Sequence, residues 1–303
     1  MTDDVFECSV VIPTYNRAGL LRHTLESLCR QTVPSNRFEV VVGDDGSSDE
    51  TAEVVDGFRT RLNLQYHVQP DEGFRAAAAR NLGVRNARGE LCVFLDSGLL
   101  ADSGLLAAHL TAHAAMARPQ AVIGYIYGFA NDTVHLEEVA RLADPRDPDG
   151  TARRMAGIPH LCDMREEFYS KYGDEFDWVP APWLVFWTAN VSARTEQIRR
   201  VGMFDENFRS WGAEDLDLGY RLHLDGARFR LERTARTVHL PHGKDSEAIR
   251  HSAAVNYRYM ARKYGTPYSR LLPLFPYINP MTTNDVIERY GIPDTAPSWW
   301  KGR

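Results

Sequence analysis

The chain has four cysteines, Cys8, Cys29, Cys92 and Cys162, and no two of them stand at a CxxC spacing. That absence excludes a thiolate metal ribbon and leaves reduced thiols, two of them inside apolar runs, as the expectation. There is no GxGxxG after the first strand-like run and no Gly-Lys-Ser/Thr loop, so the phosphate cradles of a dinucleotide-binding domain and of a P-loop enzyme are both missing. No excess of positive charge exists: the formal net charge is −6, which speaks against a nucleic-acid partner while leaving room for a local basic pocket that takes phosphates. Runs such as "WLVFW" and "LLPLF" are far shorter than the roughly 20 apolar residues of a spanning helix. The first residues, "MTDDVFECSV", are acidic where a signal peptide is basic, so the expectation is a cytoplasmic protein, in contact with a membrane at most peripherally. Lysine is scarce and arginine abundant, a bias of composition that carries no chemistry.

What is present is alternation. "CSVVIPTY" reads as a buried strand, and after Asn16, an expected helix N-cap, Leu21, Leu25 and Leu28 recur at helical intervals. "FEVVVGDD" is a second strand, followed by "GSSDET" as turn and cap and by Val54, Val55 and Phe58 on one helical face. "LNLQYHV" alternates as a half-buried strand, "FRAAAARNLGVRNA" is an alanine-rich helix, and "ELCVFLD" is a fourth strand. Strands alternating with helices predict an α/β chain with a mostly parallel sheet wound by right-handed crossovers.

In such sheets ligands bind beyond the carboxyl ends of the strands. Asp44, Asp45 and Asp96 fall at those ends; each taken alone is equally a turn former. In "ELCVFLDSG" a carboxylate ends the strand and Gly98 stands two residues later, where a second metal-holding carboxylate would be sought. Residues 141–182 are charged, rich in Pro and Gly, and weakly periodic. Two readings stand side by side for them, a surface insertion and a mobile loop over the acceptor site. Downstream, "TANVSARTEQIRRVGMFDENFRSWGAEDLDLGYRLHLDGARFRL" resumes order as a strand, a short helix, a loop, a helix opening at Glu214 and a further strand.

The segment "WGAEDLDLGYRL" resembles the Trp-Gly-x-Glu-Asp stretch of inverting family 2 glycosyltransferases with a GT-A fold. The resemblance is strongest to the transferase domains of bacterial chondroitin and hyaluronan polymerases. "VVIPTYNR", "VVGDDGSSDET", "DEGFRAAAARNLGVRNARGELCVFLDSG", "TANVSAR", "VGMFDENFRSWGAEDLDLGYRL" and "VHLPHGKDSE" follow in that family's order and cover roughly residues 8–250. The resemblance implies a GT-A fold, with a Rossmann-like central sheet flanked by helices. It implies a nucleotide-sugar-binding half over residues 1–100, an acceptor-binding and catalytic half over 101–250, and a C-terminal helical extension and tail over 251–303.

By the same resemblance, Pro13, Thr14, Tyr15 and Arg17 border the nucleotide, Asp45 recognises uracil or ribose, and Arg80 lies near the diphosphate. Asp96 matches the first acid of the metal motif, and His239 matches the metal-binding histidine, with His242 as a competing position. Trp211 and Asn190 belong to the acceptor site, and Glu214 and Asp215 form the acid pair. The implied cofactor is Mn²⁺ or Mg²⁺, weakly bound without donor because Gly98 supplies no oxygen; the implied partners are a nucleotide-sugar donor and a glycan or small-molecule acceptor.

Inverting transfer requires a carboxylate to accept the proton of the attacking hydroxyl, worth roughly 10²–10⁴-fold in rate. At a helix start the dipole favours an ionised acid, which suits Asp215 or Glu214. Plainer readings exist for each residue: a helix-starting acid, with Asp217 as a neighbouring decoy, a core tryptophan at Trp211, a helix-surface charge at Arg80, and a structural histidine at His239. Two functions from different classes follow. One is an inverting glycosyltransferase using a UDP-sugar; the other is a nucleotide-sugar-binding pseudoenzyme or partner subunit that lost catalysis with the second metal acid. A nucleotidyltransferase lacks its glycine-rich, arginine-containing loop. The final "APSWWKGR" places Trp299 and Trp300 beside Lys301 and Arg303, a composition that suits either a membrane interface or a tail packed on the body.

Overall fold

The computed structural model describes residues 6–129, 133–243, 246–275, 278–297 and 299–300. Eight strands form one sheet: β1 Cys8–Thr14, β2 Phe38–Asp44, β3 Leu64–Val68, β4 Leu91–Leu95, β5 Leu99–Ala101, β6 Gln120–Tyr127, β7 Asn190–Arg194 and β8 Arg228–His239. Their order is β3-β2-β1-β4-β7-β6-β8-β5. β3, β2, β1 and β4 are mutually parallel, β6 and β8 are parallel to each other, and β7 and β5 run antiparallel to their neighbours. The expected α/β fold with a mostly parallel sheet flanked by helices is what the chain adopts. The four N-terminal strands were readable because β1, β2 and β4 are buried on both faces and therefore run apolar without interruption.

The helix Ala76–Asn86 lies hard on this sheet because two glycines admit it. A Cβ on Gly43 in β2 would stand 2.1 Å from the Ala79 carbonyl oxygen, and one on Gly83 would stand 2.3 Å from Val11 Cγ1. That close approach fixes the helix register and with it the direction of Arg80.

Two expectations, for Asn16 and for residues 141–182, are corrected. Asn16 is not an N-cap: it sits at φ 49°, the helix Ala18–Leu28 begins two residues later, and Asp49 accepts from the Ala18 N–H at 2.9 Å. Asn16 instead accepts from the Ser48 N–H at 2.8 Å. Residues 141–182 are neither a surface insertion nor a loose loop. They contain the helices Pro148–Met155 and Glu166–Tyr172 and bury Leu161, Phe168, Tyr169, Phe176 and Val179 in the larger core. A buried ion pair anchors them: Arg165 meets Asp163 at 2.9 and 2.7 Å and donates to the carbonyls of Val185 and Gly124 at 3.1 Å each. The tail packs on the body, with Trp299 stacked on Tyr264 at 5.6 Å and its Nε1–H donating to the Lys263 carbonyl at 3.3 Å. Lys301 and Arg303 lie outside the described residues, as do Lys244 and Asp245 of the "HGKD" stretch. Among the described residues no helix is long and apolar enough to cross a membrane.

Candidate active site

The carboxyl ends of β1, β2 and β4 deliver Thr14, Asp44 and Asp96 to one edge of the sheet, with Thr14 opposite Asp44 in register. Asp45 follows directly and is 5% exposed; it accepts from Gln69 Nε2 and from the Arg75 N–H, each at 2.6 Å. Tyr15 is exposed and donates its hydroxyl to Asp71 at 2.9 Å across the mouth of this cradle. Pro13 is half-buried and Thr14 buried beneath it.

Arg80 ties this edge to the other half of the chain. Its Nη2 donates to Asp96 and its Nη1 to Glu214, both at 2.9 Å, while the guanidinium lies over the Phe204 ring at 5.6 Å. The side chain is 5% exposed, which overturns the reading of Arg80 as a surface charge. Burial alone weakens such a cation, but the carboxylates of Asp96, Glu214 and Asp215 outweigh it and hold Arg80 above its ordinary range.

Glu214 and Asp215 open the helix Glu214–Leu224 behind Gly212 and Ala213, which stand at φ 98° and φ 72°. A left-handed alanine costs of order 1 kcal/mol or more, and the Glu214 that follows it reaches Arg80. Glu214 has one oxygen on Arg80 and a second, buried, with no hydrogen-bond partner among the described residues. Asp215 is half-buried, and its carboxyl is pushed up to about 7, first by burial and then by the Glu214 charge, with Arg80 pulling the other way. The helix dipole is thus not what governs Asp215; desolvation and its neighbour are. Asp217 is structural: fully buried, it accepts from Arg221, Lys263 and Tyr264.

Trp211 is 45% exposed, so it is no core anchor. Asn256 holds the loop below it, donating to the carbonyls of Ser210, Trp211 and Gly212 at 3.0, 3.2 and 2.8 Å. Asn190, by contrast, does not reach the cleft. It is fully buried at the start of β7, donating to the Ala235 carbonyl at 2.9 Å and bonded to His109 at 3.0 Å, so its assignment to the acceptor site is corrected to a role inside the sheet.

His239 ends β8 opposite Leu99, and the Leu240 N–H donates to the Gly98 carbonyl at 2.9 Å. The "LDSG" turn and the histidine therefore share one strand end. His239 packs against Phe129 and His242, with ring centroids 4.8 and 5.0 Å away. His242 Nε2 accepts from Arg17 Nη1 at 3.0 Å, so the lone pair a metal would need there is committed. Gly98 sits at φ 100° with its N–H on Thr24 Oγ1 at 2.9 Å; a carboxylate-bearing residue at that position would be strained. A carboxylate at Asp96 and an imidazole at His239 are donor types suited to a divalent cation, and among the described residues no group of three or more His, Cys, Asp or Glu is gathered to hold one.

Arg75, Asp71 and Asn256 escape a reading of the sequence. Their roles come from contacts across the fold, and nothing in their local sequence marks them.

The fold is that of the GT-A glycosyltransferases. Residues 9–165 match the family described as Glycosyl transferase family 2, and residues 175–243 match "N-terminal domain of galactosyltransferase". The chain belongs to glycosyl transferase family 2. It is 42% identical over 84% of its length to validoxylamine A glucosyltransferase of Streptomyces hygroscopicus subsp. jinggangensis, of which the match covers 60%. It is also 30% identical over 88% of its length to chondroitin synthase of Pasteurella multocida, covering 28% of that protein. The chain thus spans about three fifths or less of these relatives. Among solved structures it is similar to a mannosyltransferase from Pyrobaculum calidifontis in complex with GDP-Man and Mn²⁺, at TM-score 0.63 and 19% identity over 95% of this chain and 76% of that one. It is also similar to S. aureus TarS in complex with UDP-GlcNAc, at TM-score 0.60 and 17% identity over 92% and 73%.

Proposed function

We propose that this chain transfers a sugar, with inversion, from a nucleotide diphosphate donor of the UDP class to a hydroxyl of a glycan or small-molecule acceptor. The observation that carries the reading is Arg80, buried and bridging Asp96 on the donor edge to Glu214 beside Asp215. Asp215 accepts the proton of the attacking hydroxyl. A carboxyl near pH 7 is well matched to that task, being ionised to a large extent at neutral pH yet basic enough to hold a proton. Arg17 and Arg80 flank Asp96, and their positive charge favours the departing diphosphate. Pro13, Thr14, Tyr15 and Asp45 border the nucleoside, and Trp211 walls the acceptor. Mn²⁺ or Mg²⁺ would be held by Asp96 and His239, and when bound supplies charge that stabilises the leaving group. With two protein donors, the rest of its coordination falls to phosphate oxygens and water. Nucleotide sugars are cytosolic metabolites, and the chain acts in the cytoplasm.

Gly98 favours one rival, a donor-binding partner subunit without turnover. Both are tested by screening UDP-, GDP- and dTDP-sugars for hydrolysis and for transfer to validoxylamine A, with and without EDTA. The proposal expects turnover with a UDP-sugar, sharp loss in chelator and recovery with Mn²⁺. Binding of UDP without any turnover would establish the rival, and full activity in EDTA would remove the metal from the account.

A further inference from the structure

The helix Ser246–Tyr264 lies beyond both stretches that match known families, which end at residue 243. Ala253, Met260 and Tyr264 recur on one helical face, and all three are buried. Asn256 falls on that same face and is 5% exposed. A buried amide needs partners, and here they come from a loop more than forty residues earlier in the chain. The Asn256 Nδ2 donates to the carbonyls of Ser210, Trp211 and Gly212 at 3.0, 3.2 and 2.8 Å, so two N–H groups serve three consecutive oxygens. Its Oδ1 accepts from the Ser210 hydroxyl at 3.4 Å. Among the described residues no backbone N–H donates to those three carbonyls, so the amide is what holds them. Ala253, one turn earlier, touches the same loop: a Cβ on Gly212 would stand 3.5 Å from the Ala253 Cβ. The helix is itself fixed, because Lys263 and Tyr264 donate to Asp217 and Lys263 donates also to Asp205. One acid precedes the loop and the other follows it. Within the loop, Gly212 and Ala213 are left-handed in succession, a conformation that persists only where the surroundings impose it.

We propose that Asn256 is a positioning residue for the acceptor: by holding the backbone of residues 210–212 it fixes the exposed Trp211 against which the acceptor sugar packs. This rests on the glycosyltransferase reading given above and on Trp211 as the wall of the acceptor site. An exposed indole is a useful wall only while its backbone stays in place, and the Asn256 amide grips the Trp211 carbonyl together with the one on either side. The role is separate from donor binding, since Thr14, Asp45 and Arg80 are contributed by the N-terminal strands and helices and none of them bonds to Asn256.

The test compares wild type, Asn256→Asp, Asn256→Ala and Trp299→Ala. UDP affinity is measured by calorimetry, and the acceptor KM is measured for transfer from UDP-glucose or UDP-N-acetylglucosamine to glucose, N-acetylglucosamine or validoxylamine A. Asn256→Asp keeps the shape and removes both N–H donors. Trp299→Ala loosens the same helix on its other side, where the indole stacks on Tyr264, and leaves the amide on its three carbonyls. The expected result is an acceptor KM raised about tenfold or more in both Asn256 variants, with UDP affinity within about twofold of wild type. Trp299→Ala is expected to lower the melting temperature and leave that KM unchanged. An unchanged KM in the Asn256 variants overturns the proposal. So does an equal rise in Trp299→Ala, or loss of UDP binding in both Asn256 variants, because each marks a merely structural role. Donor hydrolysis by wild type with transfer to none of the three acceptors also overturns it, since Trp211 then has no acceptor of this class to wall. If wild type neither binds UDP nor hydrolyses a nucleotide sugar, the glycosyltransferase reading itself has failed, an outcome distinct from the others.

Discussion

The two edges of the cleft differ in how completely the protein answers its own polar groups. On the edge proposed for the nucleotide the acids are closed. Asp44 accepts from Ser47 and from Tyr66, Asp45 from Gln69 and Arg75, and Asp49 from Ala18 and Thr51. On the edge proposed for the acceptor Glu214 leaves an oxygen unpartnered among the described residues, Trp211 faces solvent, and Asp215 is held against its preference for water. On the first edge the carboxylates are fixed by donors of the protein itself. The second stores unmet hydrogen-bonding capacity in a strained turn, which is what a site that must favour a transition state over a resting state requires. Arg80 is the side chain that both edges share.

Breaking that shared contact is expected to do the most damage. Arg80→Met leaves two carboxylates without their cation, so stability falls by about 3–5 kcal/mol and turnover by more than about a hundredfold. Denaturant titration and activity at a fixed temperature measure both. If only activity changes, the bridge is not structural. Asp215→Asn is expected to cut turnover by about a hundredfold or more while UDP binding persists. Its effect on stability has the opposite sign. The Asp215 carboxyl is raised in the folded protein, so its ionisation costs stability progressively as pH rises from the ordinary carboxylate range through about 7. The Asn variant therefore melts a few degrees above wild type at pH 8 and gains much less at pH 5. Near-normal turnover removes Asp215 from the mechanism.

On the closed edge the expected effect is smaller. Asp45→Ala weakens UDP by about tenfold, measured by calorimetry, because a lost hydrogen bond to a charged acceptor is worth roughly 1.5–3 kcal/mol and the loop partly relaxes. Tighter binding of dTDP or GDP than UDP would overturn the donor class. The smallest and most distant effect concerns the sheet. His109 and His113 are pushed down to about 4 and about 3, burial being the first cause, and they lie in a chain of hydrogen bonds with Asn190 and Ser192. Neutral in the fold, they contribute stability that is present above their ordinary pKa and lost as pH falls from about 6.5 toward 4. Melting temperature falls over that window; His113→Gln flattens the fall without touching the UDP affinity.

The sequence made the first half legible because each strand there is a short apolar run capped by a turn, and parallel burial leaves no polar interruptions in β1, β2 and β4. It hid the middle of the chain because Asp163 and Arg165 satisfy each other inside the core, so charged letters stood where apolar ones were expected. The ordered motifs led to Arg80, Asp96, Glu214 and Asp215, and these are brought together. They misplaced Asn190, whose neighbours in the chain carry no sign that its amide faces His109 and the sheet. Asn256 belongs to a helix that no motif reaches, and only packing puts it on the loop that leads into the acids.

The central claim is that Asp215 is a base poised by Glu214 against Arg80. It is tested most directly by the pH dependence of kcat/KM for the donor sugar in wild type and in Glu214→Gln. The account predicts a single-proton limb near pH 7 in wild type, falling tenfold per unit on its acid side, and the same limb displaced to lower pH when the neighbouring charge is removed. A profile flat from pH 5 to 8, or a limb that stays in place in Glu214→Gln, would contradict it.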